Sequence, residues 1–323
     1  MATVSRVLND YPDVAPETRA RVLEAIRMAE FVPDRTARSL VTGRGQVIAV
    51  ILETGQGHPD LLHPFFQEVL VGLKRSIGAS SYDLLLLSTP EPGDGLSYER
   101  RIHHHRVDGV VLMGARGSDP EIAQVLGAGV PCMAVDLEVA GPRAGSVSSD
   151  SVEGAAMAVR HLHALGHRRI ALIGGPPDTK PGADRLAGFR READRLGLEL
   201  PAGYVREGDF YPESGQAAMG ALLDLPDPPT AVLAASDLMA AGAIQAAAGR
   251  GLRAPADVAV VGFDDIQIAE LFRPSLTTIR QDKQGLGAAA GDALLALIAD
   301  PEAEAPVITL PVELIVRESS GGG

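Results

Sequence analysis

The chain from Gln46 onward alternates short apolar runs with helical patterns, and this alternation limits the fold more than any other feature. The apolar runs are 47–52, 83–88, 109–113, 132–136, 169–174, 231–235 and 258–263. The helical stretches between and after them are 64–79, 118–127, 151–165, 184–197, 213–224, 238–250 and 283–298. Strands that are apolar on both faces and separated by helices are typical of parallel sheets covered on both sides. The pattern therefore predicts an α/β fold of the doubly wound type.

The length of this alternation predicts two lobes. Roughly 270 residues of strands and helices exceed what a single sheet needs, and a segment rich in Gly and Pro interrupts them at 140–145. We predict two Rossmann-like lobes that face each other across a cleft. The first comprises 46–145 plus about 280–306, and the second comprises 146–279 plus about 307–318. We expect residues 319–323 to form a disordered tail.

Residues 1–45 have a different pattern and predict a separate all-α domain. Thr3–Leu8 can form a short helix, and Pro16–Glu30 reads as a helix with proline at its first position. Phe31–Asp34 breaks that helix, and Arg35–Val41 has room for one or two further turns. Small helices at this spacing fit a helix-turn-helix headpiece or a plain helical cap.

The charge is divided unevenly between these parts. The whole chain has a net charge of −13, which by itself argues against nucleic acid as a partner. Residues 1–45 hold seven arginines and six acids, a net charge of +1. The remaining 278 residues hold 22 basic and 36 acidic side chains, a net charge of −14. The acidity therefore belongs to the two lobes and leaves DNA binding open for the N-terminal part.

Several absences in the sequence narrow the class of protein. The apolar runs fall far short of the ~20 residues needed to cross a bilayer, and no segment reads as a signal peptide. The single cysteine, Cys132, excludes an intrachain disulfide and a cysteine-based zinc site. We therefore expect a soluble cytoplasmic protein without a membrane partner.

The N-terminal motif resembles a DNA-reading helix. Ala2-Thr3-Val4-Ser5-Arg6-Val7-Leu8-Asn9 resembles the recognition helix of the LacI/GalR (lactose repressor/galactose repressor) family of bacterial transcription regulators. Further segments resemble this family in order along the chain: 13–19 (third headpiece helix), 31–40 (hinge helix), and 166–171, 185–189, 236–237, 261–265 and 274–279 (core signatures). The resemblance implies a helix-turn-helix headpiece, a hinge helix at about 35–42 and a two-lobed sensor like that of periplasmic binding proteins.

The resemblance also implies which headpiece residues contact DNA. Thr3, Ser5 and Asn9 are expected to donate to phosphate oxygens, which fixes the register on the duplex. Arg6 is expected to reach a guanine edge, and Leu40 to wedge into the minor groove. On the residues alone, a solvated surface charge is the favoured interpretation of Arg6. Leu40 could be an ordinary buried leucine, although its place in an Arg- and Ser-containing segment just before the first strand favours the wedge.

The headpiece departs from the family pattern in two places. The family headpiece begins with another helix and a turn, whereas Met1 here already stands inside the expected recognition helix. We therefore expect a truncated headpiece and hypothesise that the natural start lies upstream. The family often has serine at the position of Ala15, which would cap the following helix and contribute about 1 kcal/mol.

Polar residues near the carboxyl ends of strands predict a ligand site in the cleft. Asp136 and Asp264 end apolar runs, and Arg185 lies where a helix begins after a Gly-Gly-Pro-Pro loop. The resemblance implies effector contacts for these three residues and for Phe66 and Ser236. Carboxylates accept sugar hydroxyls and arginine offers a fork of donors, which favours a sugar or sugar phosphate over a purine.

Two assignments in this region stay open at the level of sequence. Asp237 precedes a helix and could act as its N-cap rather than as a ligand contact. Phe65 could face the cleft while Phe66 packs in the core, or the reverse. Consecutive histidines 103–105 cannot all face one metal ion from a helix, so we expect a solvated surface there and no metal site.

Three functions compete for this sequence. The first is an effector-responsive repressor that binds a pseudopalindromic operator as a homodimer, since no leucine-heptad helix follows the last strand. The second is a periplasmic-type sugar-binding protein without DNA binding. The third is an enzyme, but we find no nucleophile–base pair and no nucleotide motif, and we expect neither catalysis nor a cofactor. Whether effector releases the operator or strengthens binding is open.

Overall fold

The computed structural model describes residues 2–8, 14–29, 45–53, 60–88, 97–116, 119–139 and 141–321. Its strands are β1 Val47–Leu52, β2 Asp83–Leu87, β3 Gly109–Met113, β4 Cys132–Val135, β5 Ala144–Ser149, β6 Ile170–Gly174, β7 Val205–Glu207, β8 Ala231–Ala234, β9 Ala259–Asp264, β10 Thr277–Gln281, β11 Val307–Leu310 and β12 Val312–Ile315. Its α-helices are α1 Ala2–Leu8, α2 Pro16–Met28, α3 Pro64–Gly78, α4 Tyr98–His104, α5 Pro120–Gly127, α6 Ser151–Ala164, α7 Lys180–Arg195, α8 Pro212–Leu223, α9 Asp237–Gly249 and α10 Lys283–Ala299. Short 3₁₀ turns lie at Asp60–Leu62, Gln267–Glu270 and Glu318–Ser320.

The N-terminal helices α1 and α2 pack against each other, and Val7 is buried between them. Helix α2 begins at Pro16, and Ala15 makes no side-chain cap, which is the deficit expected from the sequence. Asn9, Leu40 and the proposed hinge helix at about 35–42 lie outside the described residues.

The first lobe contains a parallel sheet in the order β11-β5-β4-β3-β1-β2. Successive residues of β1 point into different cores, with Ile48 and Val50 on one face and Ala49 and Ile51 on the other. Side chains alternate across a strand, so a strand covered on both faces needs an unbroken apolar run. This explains the sequence of β1.

The second lobe repeats the arrangement with the order β12-β10-β9-β8-β6-β7. Its strands are parallel except β12, which runs antiparallel to β10 at the edge of the sheet. Residues of β6 divide between two cores in the same way, with Ala171 and Ile173 on one face and Ile170 and Leu172 on the other.

The chain crosses between the lobes at three points within residues 141–321. These crossovers follow β5, β10 and β11, at residues 149–151, 281–283 and 310–312. Helix α10 consequently returns to the first lobe, where it packs against α3.

The structure corrects the predicted lobe boundaries. The boundary at 145/146 cuts through β5, which lies wholly in the first sheet, and β11 pairs with β5 instead of joining the second lobe. Pro311 has no backbone N–H and separates the run Val307–Val316 into two strands on different sheets. The serine-rich sequence of β5 gave no apolar signal, although it is buried.

The expectation of a disordered tail is also wrong for residues 319–321, whereas residues 322 and 323 lie outside the described residues. Ser319 is fully buried, accepts a hydrogen bond from the Thr277 amide at 2.9 Å and donates to the Val260 carbonyl at 2.6 Å. These bonds attach the 3₁₀ turn Glu318–Ser320 to β9 and β10. Among the helices of the described ranges, none combines the length and apolar character needed to span a membrane.

Candidate functional site

A cavity of about 210 Å³ opens between the two lobes at the carboxyl ends of their parallel strands. Its walls are formed by His63, Phe65, Phe66, Gly114, Ala115, Arg116, Asp136, Pro176, Thr179, Pro181, Arg185, Asp209, Phe210, Tyr211 and Asp264. The structure therefore brings four of the five predicted effector contacts together around one cavity: Phe66, Asp136, Arg185 and Asp264. Residues from both lobes face the same space, so a ligand there would touch both.

Asp136 supplies a carboxylate from the first lobe. It directly follows β4 and has a φ of 55°, a left-handed conformation that turns the chain sharply at the strand end. Burial raises the pKa of Asp136 to about 6, while the nearby Arg185 and Lys180 oppose that rise. The side chain therefore carries a charge that the protein solvates poorly, and it would gain from hydroxyl donors of a ligand.

Arg185 supplies the cation of the cavity from α7. Its guanidinium lies 3.8 Å from the centre of the Phe263 ring and donates to the Ala235 carbonyl. Its Nη2 lies 3.7 Å from Oδ1 of Asp264, and both side chains are almost fully buried. Burial lowers the pKa of Arg185, and the surrounding carboxylates raise it again. The ring and the carboxylate fix the guanidinium in one orientation.

Asp264 ends β9 in the second lobe with a φ of 113°. Its Oδ1 accepts a hydrogen bond from Nε2 of Gln281 at 2.6 Å, and its backbone carbonyl accepts from Nζ of Lys283 at 2.6 Å. Burial raises the pKa of Asp264, and Arg185 is the strongest group acting against that rise. Because Gln281 and Lys283 flank the second crossover, the carboxylate is tied directly to the connection between the lobes.

The start of α3 forms the aromatic wall of the first lobe. Phe65 is 6% exposed and belongs to the core, and Phe66 is more exposed, yet both rings line the cavity, so the structure gives a share of the wall to each of the two alternatives left by the sequence. The two rings meet edge to face with centroids 5.2 Å apart. His63 precedes them and caps the helix, since its Nδ1 accepts from the Phe65 amide at 3.3 Å.

The structure corrects the expectation for Ser236. This residue is fully buried and is not part of the cavity wall. Its hydroxyl donates to the Phe210 carbonyl at 2.9 Å and accepts from the Met239 amide at 3.1 Å, so it is the N-cap of α9. Asp237 is therefore not the cap. Its carboxylate instead accepts from the Ile266 amide at 2.8 Å and holds the turn after β9.

Several residues of the cavity wall were not predicted from the sequence. Phe210 and Tyr211 come from the segment between β7 and α8, and Phe210 has a φ of 72° that turns its ring toward Arg185, whose guanidinium lies 5.7 Å from the ring centre. Asp209 belongs to the same segment, and Thr179 comes from the loop between β6 and α7. None of them follows an apolar run of the kind that marked Asp136, so the only available signal was the local concentration of aromatic residues.

Ion pairs connect the lobes at the rim of the cavity. Nη1 of Arg116 in the first lobe lies 2.7 Å from Oδ2 of Asp178 in the second, and both side chains are nearly half exposed. Nζ of Lys180 in the second lobe lies 3.4 Å from Oε1 of Glu138 in the first. These contacts require the lobes to be close, so they stabilise a closed cleft.

The structure describes only some of the residues predicted to contact DNA. Thr3 and Arg6 lie on α1 with exposed side chains, whereas the Ser5 side chain, Asn9 and Leu40 lie outside the described residues. Within the described ranges, no group of three or more His, Cys, Asp or Glu side chains is arranged to hold a metal ion.

The fold and the cavity define a two-lobed ligand-binding protein with a helical N-terminal segment, and comparison with known proteins identifies its class. Residues 1–34 match the family model described as bacterial regulatory proteins, lacI family, and residues 159–320 match the periplasmic binding protein-like domain. The HTH-type transcriptional regulator CelR of Thermobifida fusca is 35% identical over 98% of this chain and 94% of its own length. The HTH-type transcriptional repressor PurR of Escherichia coli is 34% identical over 99% of this chain and 93% of its own.

Solved structures give the same result. A lac repressor dimer bound to operator and the anti-inducer ONPF superposes with a TM-score of 0.84 and 30% identity, covering 99% of this chain and 94% of that one. A complex of the regulator CelR with cellobiose superposes with a TM-score of 0.79 and 33% identity, covering 98% and 95%. The chain belongs to the LacI family of bacterial regulatory proteins.

This membership confirms the prediction made from the headpiece and core motifs. The protein is a DNA-binding transcriptional regulator that binds operator DNA and responds to a small-molecule effector. Its relatives are regulators, so it is not an enzyme, and the alternative of a periplasmic-type sugar-binding protein is not favoured. The truncation of the headpiece stays a prediction.

Proposed function

We propose that the protein represses transcription as a homodimer on a pseudopalindromic operator, in the cytoplasm, and that a sugar bound between the lobes controls this activity. The cavity carries the proposal. Carboxylates from both lobes, Asp136 and Asp264, face it together with the Arg185 guanidinium and the ring of Phe66. Paired acceptors, a fork of donors and an apolar ring together suit the hydroxyls and the apolar face of a saccharide.

On the DNA side, the proposal assigns the contacts to α1 and the hinge. Thr3, Ser5 and Asn9 would donate to phosphates, Arg6 would read a guanine and Leu40 would enter the minor groove. The exposure of Thr3 and Arg6 on α1 supports this assignment. In this proposal the headpiece and the hinge precede Gly45, and each lobe comprises the strands of one sheet with the helices that cover it.

The coupling follows from the position of the site. An effector that contacts Asp136 in one lobe and Asp264 in the other binds the closed cleft better than the open one. It can shift the protein between two states only through this difference in affinity. Because Asp264 is bonded to Gln281 and Lys283 at a crossover, closure is transmitted to the relative placement of the lobes.

A two-part experiment tests the proposal. Thermal shift against neutral saccharides, including the cellobiose found with the relative CelR, and against purine bases should reveal a sugar that raises the melting temperature. A gel shift on DNA upstream of the gene should then show specific, salt-dependent binding that this sugar alters. A purine that stabilises the protein while every sugar fails would contradict the proposed effector class. The absence of any specific shift would contradict the proposed operator binding.

A further inference from the structure

One ring nitrogen of His63 is used to cap a helix. Its Nδ1 accepts the hydrogen bond from the Phe65 amide at the start of α3, and the side chain is 5% exposed. An imidazole nitrogen that accepts a hydrogen bond carries no proton, so in the neutral ring the proton sits on Nε2. The helix cap therefore fixes His63 as an Nε2–H donor.

The other nitrogen, Nε2, belongs to a residue of the cavity wall and is buried between the lobes. Nε2 is fully buried and makes no well-aligned hydrogen bond within the described residues. The nearest acceptor is the Phe210 carbonyl of the opposite lobe, which already accepts from the Ser236 hydroxyl. The ring stands edge to face against Phe66 of its own lobe at 5.7 Å and against Tyr211 of the opposite lobe at 5.4 Å, and it forms part of the cavity wall. A buried donor without an acceptor is costly, which makes Nε2 a position where a ligand acceptor would be favoured.

The surroundings keep His63 uncharged. Burial lowers its pKa most, and Arg185 lowers it further, while Asp264 and the Phe210 carbonyl act in the opposite direction. The net shift is downward, so the ring is neutral at pH 7 and offers one donor without a positive charge.

The charges of the cavity wall point away from an anionic ligand. Asp136, Asp209 and Asp264 line it together with two arginines. Arg116 is paired with Asp178 and Arg185 with Asp264, so both guanidinium groups of the wall already have carboxylate partners. A phosphate would have to displace one of these pairs and would approach several carboxylates.

We propose that His63 is a specificity residue whose Nε2–H donates to an uncharged oxygen of the effector, and that the effector is a neutral saccharide rather than a sugar phosphate. The inference rests on the proposed function and narrows its ligand. The first lobe would then offer a donor, Nε2–H of His63, beside an acceptor, the Asp136 carboxylate. Hydroxyl groups of one sugar can donate to Asp136 while a hydroxyl or ring oxygen accepts from His63.

The test compares His63→Ser with the wild-type protein. Serine retains the helix cap but is too short to reach the cleft, so the variant removes the donor with little effect on the fold. Titration calorimetry at pH 7.5 with cellobiose and with the neutral saccharide that gives the largest thermal shift should show affinity weakened about 5- to 30-fold, the loss expected for one buried hydrogen bond. His103→Ser, at an exposed histidine of α4, should leave affinity unchanged.

Two further measurements make the assignment specific. Monodeoxy analogues of the bound saccharide should include one whose affinity loss is not additive with His63→Ser, which identifies the oxygen that His63 contacts. Nitrogen-15 NMR of the ligand-free protein at pH 7 should show a neutral His63 ring with its proton on Nε2. Urea unfolding of the variant separates a binding loss from a folding loss.

The outcomes separate this inference from the proposed function. Equal saccharide affinity for wild type and His63→Ser, or a His63 proton on Nδ1, would overturn the role of His63. Tighter binding of glucose 6-phosphate than of glucose would overturn the preference for a neutral saccharide. Each of these results leaves a sugar-responsive regulator intact. If no saccharide binds the wild-type protein, the proposed effector class fails and this inference fails with it.

Discussion

Replacing Asp136 with asparagine should stabilise the ligand-free protein and at the same time abolish effector binding. The Asp136 carboxylate is held where burial raises its pKa to about 6 from its ordinary value of 3.8. Each pKa unit corresponds to about 1.4 kcal/mol, so the ionised side chain costs up to about 3 kcal/mol at pH 7.5. Asparagine removes that charge and tolerates the left-handed backbone of this position, which alanine would strain.

The pH dependence of the effect follows from the direction of this shift. A carboxyl group whose pKa is raised on folding binds its proton more tightly in the folded state. The folded protein therefore loses stability as the pH rises from the unfolded pKa of this group to its folded pKa of about 6. The penalty is absent below the unfolded pKa and complete above the folded one. Because the side chain keeps some contact with solvent through the cleft, we expect a gain of about 1–3 kcal/mol for Asp136→Asn at pH 7.5 and almost none at pH 4.

Urea unfolding followed by circular dichroism at both pH values measures this gain. Asp194→Asn, at an exposed acid on α7, is the matched control and should change stability by less than about 0.5 kcal/mol. Calorimetry with the effector should show no binding to Asp136→Asn. The reasoning is refuted if the variant is no more stable than wild type at pH 7.5, or if it gains equally at both pH values.

Three other substitutions test the connection between the lobes and its packing. Arg116→Gln should weaken effector binding only about 1.5- to 5-fold at low salt and not at 1 M salt, because the pair with Asp178 is half exposed; a double-mutant cycle with Asp178→Asn measures this. Lys283→Met should lower the free energy of unfolding by about 2–3 kcal/mol in urea, since it leaves two buried backbone carbonyls without their donor; an unchanged midpoint would contradict this. Gly72→Ala should destabilise by more than about 2 kcal/mol, because a Cβ there would lie 1.9 Å from the Gln284 carbonyl oxygen, whereas Gly78→Ala at the open end of the same helix should not.

Most strands could be predicted from the sequence because a strand that is buried on both faces appears as an unbroken apolar run. Each of the seven apolar runs from 47–52 to 258–263 coincides with an observed strand to within one residue at either end, since a strand buried on both faces must be apolar at every position. The same rule explains the failures. Strand β5 consists of small and hydroxyl residues, and the run ending at Val316 continues through Pro311 without a change of hydropathy, so neither its division nor its change of sheet was visible.

Some residues of the candidate site could be predicted from the sequence and others could not. Asp136 and Asp264 could be anticipated because each follows a buried strand and strand ends converge at one edge of a sheet. His63 and Tyr211 could not, because they come from opposite lobes and their contact depends on how the two lobes pack together. Ser236 was assigned to the cleft from the resemblance, whereas its actual bonds are to its own helix and to Phe210.

The sequence by itself therefore determined the two doubly wound lobes, the family of the protein and the strand-end carboxylates, since these depend on local periodicity and on contiguous motifs. The tertiary structure decided which strand belongs to which lobe, which polar atoms face the cavity and which are used within the fold. That division has a physical reason. Pairing across the lobes joins residues far apart in the chain, and whether a donor such as Nε2 of His63 is satisfied depends on every group packed around it.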